Sequence, residues 1–355
     1  MAAPVPMTLK CIAEQLGLSA TTVSRVLSGQ AQRYRISKKT ETAVRRLAAQ
    51  ANFSPNRVAR GLRLRRTESI GLVIPDVSNP FFAGIAREIA RGARQCRYSV
   101  IVCDSQESEE VEMESLDLLR GRGVEGIVLC PVGRLAEHLV RFEEEELPIV
   151  LADRYFPGLR LPYVASDNFG GAREATTHLL ENGHRRIACV QGLAGSSPNE
   201  DRLRGYWEAL EAHRIAVDES LIVGDGFGEQ NGYIATKLLL RTAHDVTALL
   251  AFSNLIALGA IRALSEEELQ IPGDVSLVSF DDQPYCAYLA APLTAVAQSS
   301  AEMGQIAVKL LFDRIRSPQR VGGGGILLPT NLVTRGSVRK LNELGAERKQ
   351  RHVCG

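Results

Sequence analysis

Short apolar runs alternate with amphipathic segments along residues 67–293, and this alternation constrains the fold more than any other feature of the chain. The runs span residues 70–74, 100–103, 126–130, 149–152, 187–190, 249–252 and 275–280. The segments between them, such as 82–93 and 172–180, repeat their apolar residues at about the 3.6-residue period of a helix. Strands that alternate with helices form a parallel sheet covered on both faces. We therefore predict an α/β body of two doubly wound parallel-sheet lobes.

The charge of the chain is divided unevenly between its two ends. Residues 1–66 contain 13 lysines and arginines but only two acids, which is a net charge of +11. The other 289 residues contain 29 bases and 39 acids, or −10, so the overall charge of +1 conceals the division. A basic head on an acidic body indicates a polyanionic partner for the head alone.

Residues 8–27 have the pattern of a helix-turn-helix. Thr8 and Ser19 are placed to cap two short helices, Gly17 supplies the turn between them, and a third helix is expected after Ser37. The apolar residues expected to pack inward in the first two helices are Ile12, Ala13, Leu16, Val23, Val26 and Leu27. The residues of the second helix that remain toward solvent are Ala20, Thr21, Thr22, Ser24 and Arg25. Such a helix meets base edges in the major groove, and Arg25 can donate two hydrogen bonds to one guanine. The predicted partner of this all-α head is double-stranded DNA.

Residues 54–66 are basic and begin beside a proline. An isolated helix of about ten residues is marginal in water, so this segment would become ordered only when docked on DNA. An exposed Leu62 or Leu64 is explained if one of them inserts into the minor groove and kinks the duplex. A plain charged linker is the alternative interpretation.

Polar and aromatic residues follow several of the predicted strands. In open α/β sheets, ligands bind outside the carboxyl ends of the strands, so a two-lobed body holds its ligand in the cleft between lobes. The carboxylates and the guanidinium that match vicinal hydroxyls of a sugar are Asp76, Asp153, Arg154 and Asp281. The aromatic rings that match the apolar face of a sugar are Phe81, Phe82 and Phe227. Each residue alone is more often a helix cap or a loop residue, and it is their shared location at strand ends that favours a carbohydrate site.

Several classes of protein are excluded by what the sequence lacks. No apolar run approaches the ~20 residues of a membrane span, and the N-terminus has no apolar signal core, so we expect a cytoplasmic protein. The seven cysteines are scattered without a C-x-x-C pair, which favours reduced thiols and no metal or cofactor. A sugar-transport protein would explain residues 67–338 but not the head. An enzyme would need an acid/base or nucleophile constellation, and none can be assembled.

The chain resembles the LacI/GalR family of bacterial transcription regulators from Met7 to about Val338. The motifs that carry the resemblance are residues 19–27 (SATTVSRVL), 55–60 (PNRVAR), 75–82 (PDVSNPFF), 182–187 (NGHRRI), 279–282 (SFDD) and 292–294 (PLT). The resemblance implies a helix-turn-helix head, a hinge helix, and a body like periplasmic sugar-binding proteins. It also implies a homodimer on a near-palindromic operator, most often a repressor, whose DNA affinity is shifted by a small effector such as a sugar or nucleobase.

Carried over by position, the resemblance assigns individual residues. It puts Ala20, Thr21 and Arg25 at base-reading sites, and Leu62 at the minor-groove wedge. It puts Thr8, Ser19, Thr22 and Ser24 on phosphates and Asn56 and Ala59 on the hinge, with Leu9 and Arg57 completing the DNA-contacting set. The effector-binding residues that it implies are Asp153, Arg202, Phe227, Ser253, Asp281 and Gln298. The loop of residues 30–36 is longer and more basic than is usual in the family, which suggests additional phosphate contacts.

The expected domain organisation follows from the motifs and the resemblance together. The DNA-binding head covers residues 7–53, the hinge 54–66 and the effector-binding body 67–338. The first lobe is expected over about 67–165 and 298–325, and the second over about 166–297 and 326–338. Residues 339–355 are expected to form a disordered tail.

Overall fold

The computed structural model describes residues 7–51, 53, 66–134, 136–144, 147–317 and 324–341, with only the backbone of residues 143 and 144. The chain forms two units, Met1–Thr67 and Glu68–Gly355. The predicted hinge residues Asn56, Arg57, Ala59 and Leu62 lie outside the described residues.

The first unit contains three helices, α1 (Leu9–Gln15), α2 (Ala20–Leu27) and α3 (Lys38–Gln50). Each begins at a hydroxyl that accepts a backbone N–H from the first turn: Thr8 from Cys11, Ser19 from Thr22, and Ser37 from Thr40. Gly17, between α1 and α2, has a φ of +62°, a conformation that glycine adopts without strain. The predicted helix starts of the head are therefore confirmed.

The core of the head consists of small and β-branched side chains. The buried members are Ile12, Ala13, Val23, Val26, Ala31, Val44 and Ala48. Leu16 and Leu27, which were also predicted to face inward, are partly buried and pack against this core. Burying one apolar face of each helix leaves the polar face of α2 toward solvent.

The second unit contains two six-stranded sheets. The strands are β1 (Ser69–Ile74), β2 (Ser99–Asp104), β3 (Ile127–Leu129), β4 (Ile149–Ala152), β5 (Tyr163–Ser166), β6 (Ile187–Val190), β7 (Ile222–Val223), β8 (Ala248–Ala251), β9 (Ser276–Phe280), β10 (Thr294–Ala297), β11 (Gly325–Leu328) and β12 (Asn331–Val333). The strand order is β11-β5-β4-β3-β1-β2 in the first sheet and β12-β10-β9-β8-β6-β7 in the second. The β10–β12 pair is antiparallel, and the other pairs are parallel.

Helices connect the strands. They are α4 (Pro80–Gln95), α5 (Glu109–Gly121), α6 (Glu137–Glu144), α7 (Asn168–Glu181), α8 (Ser197–Ala212), α9 (Glu229–Thr242), α10 (Asn254–Glu266) and α11 (Ser300–Arg316), with 3-10 turns at Glu219–Leu221 and Pro284–Ala287. The central strands β1, β3, β4, β6, β8 and β9 are buried because helices cover the sheets, which is why their sequences are almost continuously apolar. The predicted α/β body with two parallel-sheet lobes is confirmed.

The chain crosses between the two lobes three times. It leaves the first sheet after β5, returns after β10 so that α11 packs on the first lobe, and crosses again between β11 and β12. The predicted change of lobe at residue 326 is therefore wrong, because Gly325–Leu328 pairs with β5 in the first sheet. The short apolar run of β11 forms a strand by pairing with the distant strand β5, and local sequence does not reveal this pairing.

The prediction that residues 339–355 are disordered is wrong for residues 339–341. The Arg339 N–H donates to Ser276 Oγ at 3.0 Å, and the Leu341 N–H donates to the Asn182 carbonyl at 2.8 Å. The buried His184 ring also bonds the Arg339 carbonyl at 3.1 Å. The second lobe thus holds the start of this segment through its backbone, a contact that charge composition does not predict. Residues 342–355 lie outside the described residues.

Within the described ranges, no helix combines the length and apolar character needed to cross a bilayer.

Candidate functional site

The exposed face of α2 in the head is polar and short-chained. Ala20 and Thr21 are exposed in its first turn, while Thr22, Ser24 and Arg25 are half-buried. The Ser19 hydroxyl lies 2.9 Å from Thr22 Oγ1 and caps the helix at the same time. The first turn of α2 therefore presents small groups that allow close approach to a duplex groove, with one guanidinium in the last turn.

Thr8 and Leu9, the other predicted DNA contacts of the head, lie at the start of α1. Thr8 is exposed, and its hydroxyl both accepts from the Cys11 N–H and donates to Cys11 Sγ at 3.1 Å. Leu9 packs partly against the core of the head. Both assignments to DNA remain predictions.

Two aspartates occupy matching positions in the two lobes of the body. Asp153 directly follows β4, and Asp281 directly follows β9, each strand being third in the order of its sheet. Both residues adopt a left-handed backbone, with φ of +68° and +69°, and both are 5% exposed. Aspartate tolerates this conformation better than most residues, and such backbone geometry concentrates at functional sites.

Arg154 is buried beside Asp153 and is held by a carboxylate from the first lobe. Its two terminal nitrogens donate to the two oxygens of Glu107 at 2.8 and 2.7 Å, and its Nε lies 3.7 Å from Asp153 Oδ2. Burial alone would lower the pKa of Arg154, but the Glu107 carboxylate outweighs burial and raises it. The guanidinium also lies 4.9 Å from the ring centroid of Phe227 in the second lobe.

Arg202 extends from α8 into the same space from the second lobe and is 3% exposed. Its Nε donates to Asn168 Oδ1 at 2.8 Å, a terminal nitrogen donates to the Phe252 carbonyl, and the guanidinium stacks 3.9 Å from the Phe280 ring centroid. Burial lowers the pKa of Arg202, and the charges of Asp281 and Asp153 oppose this shift. The arginine is therefore fixed in orientation on three sides.

Asp281 accepts hydrogen bonds from two neighbours in its own lobe. The Asn254 N–H donates to its Oδ2 at 3.3 Å, and the side-chain amide of Gln298 donates to its Oδ1. Burial raises the pKa of Asp281, although Arg202 and Gln298 act in the opposite direction. Gln298 Oε1 is a buried oxygen with no protein partner among the described residues, so it remains available to a ligand donor.

The pKa of Asp153 is raised from its usual 3.8 to about 6. Burial is the largest cause, and the carboxylates of Asp281 and Glu107 add to it, while Arg154 and Arg202 oppose it. Because Arg202 and Asp281 belong to the second lobe, this coupling brings charged groups from both lobes into one electrostatic cluster. We call Asp153, Arg154, Arg202 and Asp281 the cleft cluster.

Phe227 and Ser253 lie close together beside this cluster. The Ser253 hydroxyl donates to the Phe227 carbonyl at 2.9 Å and accepts from the Ile256 N–H at 3.1 Å, which caps α10. Phe227 is half-buried against Gly192, where a Cβ would lie only 2.2 Å from its ring. The glycine at position 192 therefore leaves room for the Phe227 ring. The Ser253 hydroxyl, in contrast to a free hydroxyl, already caps a helix.

Three of the predicted effector residues, Asp76, Phe81 and Phe82, make no hydrogen bond, ion pair or ring contact with the cleft cluster among the described residues. Asp76 Oδ1 accepts from both the N–H and the hydroxyl of Ser78, at 2.7 and 2.6 Å, and closes a turn after β1. Phe81 and Phe82 are 5% and 4% exposed in the core of the first lobe, packed edge to face at 5.2 Å. Their assignment to the effector remains a prediction.

Sequence reasoning missed the residues that join the two lobes across the cleft. Asn254 Nδ2 donates to Asn79 Oδ1 at 3.2 Å, which connects the first residue of α10 to the cap of α4. The Tyr155 N–H donates to Ser197 Oγ at 3.0 Å, and its hydroxyl donates to Asp201 at 3.2 Å. Asn79 precedes a proline in an N-cap pattern, and this sequence signal could have identified it. No sequence signal indicated which distant segments would pair across the cleft.

In the described part of the chain, histidine, cysteine, aspartate and glutamate side chains form no group of three or more that could hold a metal ion. The cleft cluster mixes two carboxylates with two guanidinium groups, which suits hydrogen bonding to a polar organic molecule.

Family models match both units of the chain. Residues 8–56 match the model described as bacterial regulatory proteins, lacI family, and residues 176–338 match a periplasmic binding protein-like domain. A ribose operon repressor from Halalkalibacterium halodurans is 34% identical over 92% of this chain and 96% of its own length. This chain belongs to the lacI family of bacterial regulatory proteins.

Other members of the lacI family share its full length and fold. The transcriptional repressor PurR of Actinobacillus pleuropneumoniae is 32% identical over 95% of this chain and 99% of its own length. The lac repressor dimer bound to operator and the anti-inducer ONPF has a TM-score of 0.83 at 27% identity, covering 94% of this chain and all of that chain. The complex of the regulator CelR with cellobiose has a TM-score of 0.70 at 33% identity, covering 93% and 99%.

Proposed function

We propose that this lacI-family protein is a ligand-responsive transcriptional repressor, which binds operator DNA through its head and a small neutral carbohydrate in its cleft. The observation that carries the effector class is the cleft cluster, in which buried carboxylates and guanidinium groups of both lobes meet beside an aromatic ring. The names of relatives, among them a ribose operon repressor, support regulation rather than catalysis. The protein then acts in the cytoplasm, where the DNA is.

The cleft cluster favours vicinal hydroxyl groups as its ligands. Asp153 and Asp281 offer carboxylate oxygens that accept two hydroxyl hydrogens each, and Arg202 offers donors in a fixed plane. Phe227 supplies an apolar face of the kind that stacks on a sugar ring. Hydrogen bonds to charged groups contribute about 1.5–3 kcal/mol each, so a sugar held by three such groups is recognised specifically.

The charge balance of the cleft favours an uncharged ligand. Arg154 is already neutralised by a bidentate contact with Glu107, and Arg202 lies near Asp281 and Asp153. A phosphate group would meet the two carboxylates of the cluster and the nearby Glu107, and each guanidinium of the cluster already has a compensating charge. We therefore expect a neutral sugar to bind more tightly than its phosphate ester.

The contacts across the cleft suggest how ligand binding is coupled to DNA binding. The Asn254–Asn79 bond and the two Tyr155 contacts close one lobe on the other. A sugar that binds between the lobes changes the balance between open and closed arrangements by its difference in affinity for the two. The hinge segment of residues 54–66 would transmit this change to the head, with a typical coupling of about 1–3 kcal/mol.

Exposed apolar side chains support a homodimer. Val102 on the edge strand β2 and Leu118 on α5 are 47% and 49% exposed, and Ile234 and Leu238 on α9 are 47% and 55% exposed. Such side chains on one face of a helix or on a sheet edge usually pack against a partner. Two heads in one dimer would read two half-sites of a near-palindromic operator. Sedimentation velocity checks this expectation.

The test of the function is fluorescence anisotropy on a labelled operator selected from randomised DNA. Ribose, cellobiose and ribose 5-phosphate serve as probes, first for the wild-type protein and then for the Asp281→Asn variant. We expect a neutral sugar to change the operator affinity at least fivefold, ribose 5-phosphate to have no effect, and the variant to bind DNA without responding. Failure to select any DNA would refute the regulator, and a response to the phosphate alone would refute the neutral effector.

A further inference from the structure

The guanidinium of Arg25 stacks on the ring of Tyr34 in the head. Arg25 Cζ lies 3.8 Å from the ring centroid, at van der Waals distance from the ring face. Arg25 belongs to the last turn of α2, and Tyr34 belongs to the loop between α2 and α3. The ring is 41% exposed, although an aromatic side chain of this size usually buries more of its surface.

The loop holds this ring in place through its backbone. The Tyr34 N–H donates to the Gln30 carbonyl at 3.2 Å, and the Ile36 N–H donates to the Ala31 carbonyl at 2.9 Å, so the loop forms one closed helical turn. Arg35 ends that turn with a left-handed φ of +51°. Ala31 is buried in the core of the head and Ile36 packs against it, which anchors both ends of the turn.

A stacked guanidinium keeps its hydrogen-bonding capacity. The aromatic ring contacts only the flat face, while the N–H groups of arginine radiate in the guanidinium plane. Stacking also restricts a flexible side chain before it binds, so less conformational entropy is lost on contact with a base. The ring therefore orients the arginine without competing for the donors that read a guanine edge.

We propose that Tyr34 is a positioning residue for sequence readout: its ring holds Arg25 in the orientation in which it contacts a base edge. This inference rests on the proposed function, since it presupposes that α2 enters the major groove. Tyr34 therefore influences the preference for one base pair of each half-site without a base contact of its own.

Arg33 provides an internal contrast within the same loop. Its guanidinium lies 5.9 Å from the same ring centroid and its side chain is exposed, so the ring constrains it far less than Arg25. A mobile exposed arginine at a DNA surface contacts phosphates. Its removal therefore lowers the affinity for all DNA sequences alike. Arg33→Ala is thus the control for a change in charge at this loop without a change in readout.

The experiment measures base preference with the full-length protein. Anisotropy titrations use the selected operator and its variants with each of the four bases at each half-site position, at one salt concentration. The proteins are the wild type, Tyr34→Ala, Tyr34→Leu, Tyr34→Phe, Arg25→Ala, Arg33→Ala and the double variant Arg25→Ala/Tyr34→Ala. Tyr34→Leu retains apolar bulk for the fold, and Tyr34→Phe retains the aromatic face without the hydroxyl.

We expect Tyr34→Ala and Tyr34→Leu to reduce the preference for the favoured base by about two- to fivefold, only at the position that Arg25→Ala relaxes. Tyr34→Phe should restore the wild-type preference. The double variant should lose no more preference than Arg25→Ala alone, because the ring acts through that arginine. Arg33→Ala should weaken binding to all sequences equally and reduce the salt dependence.

Four results would overturn the inference while leaving the function intact. The first two are an unchanged preference in Tyr34→Ala and Tyr34→Leu and additive losses in the double variant. The third is tighter binding on removal of the ring, which would mean that Tyr34 sequesters Arg25. A uniform loss at all positions would assign Tyr34 to the fold or to a phosphate and would also overturn it. If the wild-type protein selects no DNA at all, the proposed function and this inference fail together.

Discussion

Replacement of Asp153 by asparagine should stabilise the body of the protein at neutral pH while it removes the response to effector. The pKa of Asp153 is raised to about 6 from its usual 3.8, chiefly by burial. A carboxyl group whose pKa is higher in the folded state than in the unfolded state destabilises the fold once it ionises. The charged side chain is therefore kept at a cost in stability, which is characteristic of functional positions.

The magnitude follows from the two pKa values. Their difference corresponds to about 3 kcal/mol at pH 7.5, where Asp153 is ionised in both states. The penalty is absent below pH 3.8, grows as the pH rises toward about 6, and is complete above that value. At pH 5 it should be about half of its value at pH 7.5. The Asp153→Asn variant escapes this penalty because its amide does not ionise.

The assay is urea unfolding of the wild type and Asp153→Asn at equal protein concentration, at pH 7.5, 6 and 5. We expect the variant to be more stable by about 3 kcal/mol at pH 7.5, with the advantage shrinking as the pH falls. Asp225→Asn, at an exposed position, is the matched control and should differ from wild type by less than about 0.5 kcal/mol throughout.

Two results would refute this reasoning. An Asp153→Asn variant that is less stable than wild type at pH 7.5 would mean that Arg154 and Arg202 stabilise the carboxylate by more than burial costs. An advantage of constant size from pH 7.5 to pH 5 would mean that ionisation of Asp153 is not its origin. The second readout is the anisotropy response to ribose and cellobiose, which should be at least tenfold weaker in the variant because a charged acceptor is lost.

Two further predictions concern the cleft and the hinge. Arg202→Lys should weaken the response to effector at least tenfold in the anisotropy titration. The reason is that an ammonium cannot reproduce both the hydrogen bond to Asn168 and the stacking on Phe280. A normal response would show that Arg202 does not belong to the effector site. Leu62→Ser should weaken binding to the selected operator and leave sugar affinity, measured by calorimetry, unchanged, since the predicted role of Leu62 is to wedge into the minor groove. Equal operator affinity in that variant would exclude the wedge.

Local sequence was sufficient for those features of this protein that depend on neighbouring residues. Thr8, Ser19 and Ser37 predict the helix starts of the head because a hydroxyl and the N–H that it caps are three residues apart. The apolar runs predict the central strands because a strand covered on both faces must be apolar throughout. The uneven charge predicts a polyanionic partner for the head because like charges concentrate only where something neutralises them.

Tertiary structure alone decided which distant residues share a site and what state they are in. The strand that begins at Gly325 joins the first sheet because its partner, β5, lies about 160 residues earlier, and no local pattern encodes that pairing. Arg154 is paired with Glu107, and Arg25 is stacked on Tyr34, because the fold brings separate segments together. The raised pKa of Asp153 likewise comes from burial between two lobes. Residue types determine which interactions are possible, whereas distance and desolvation determine which of them form and how strong they are.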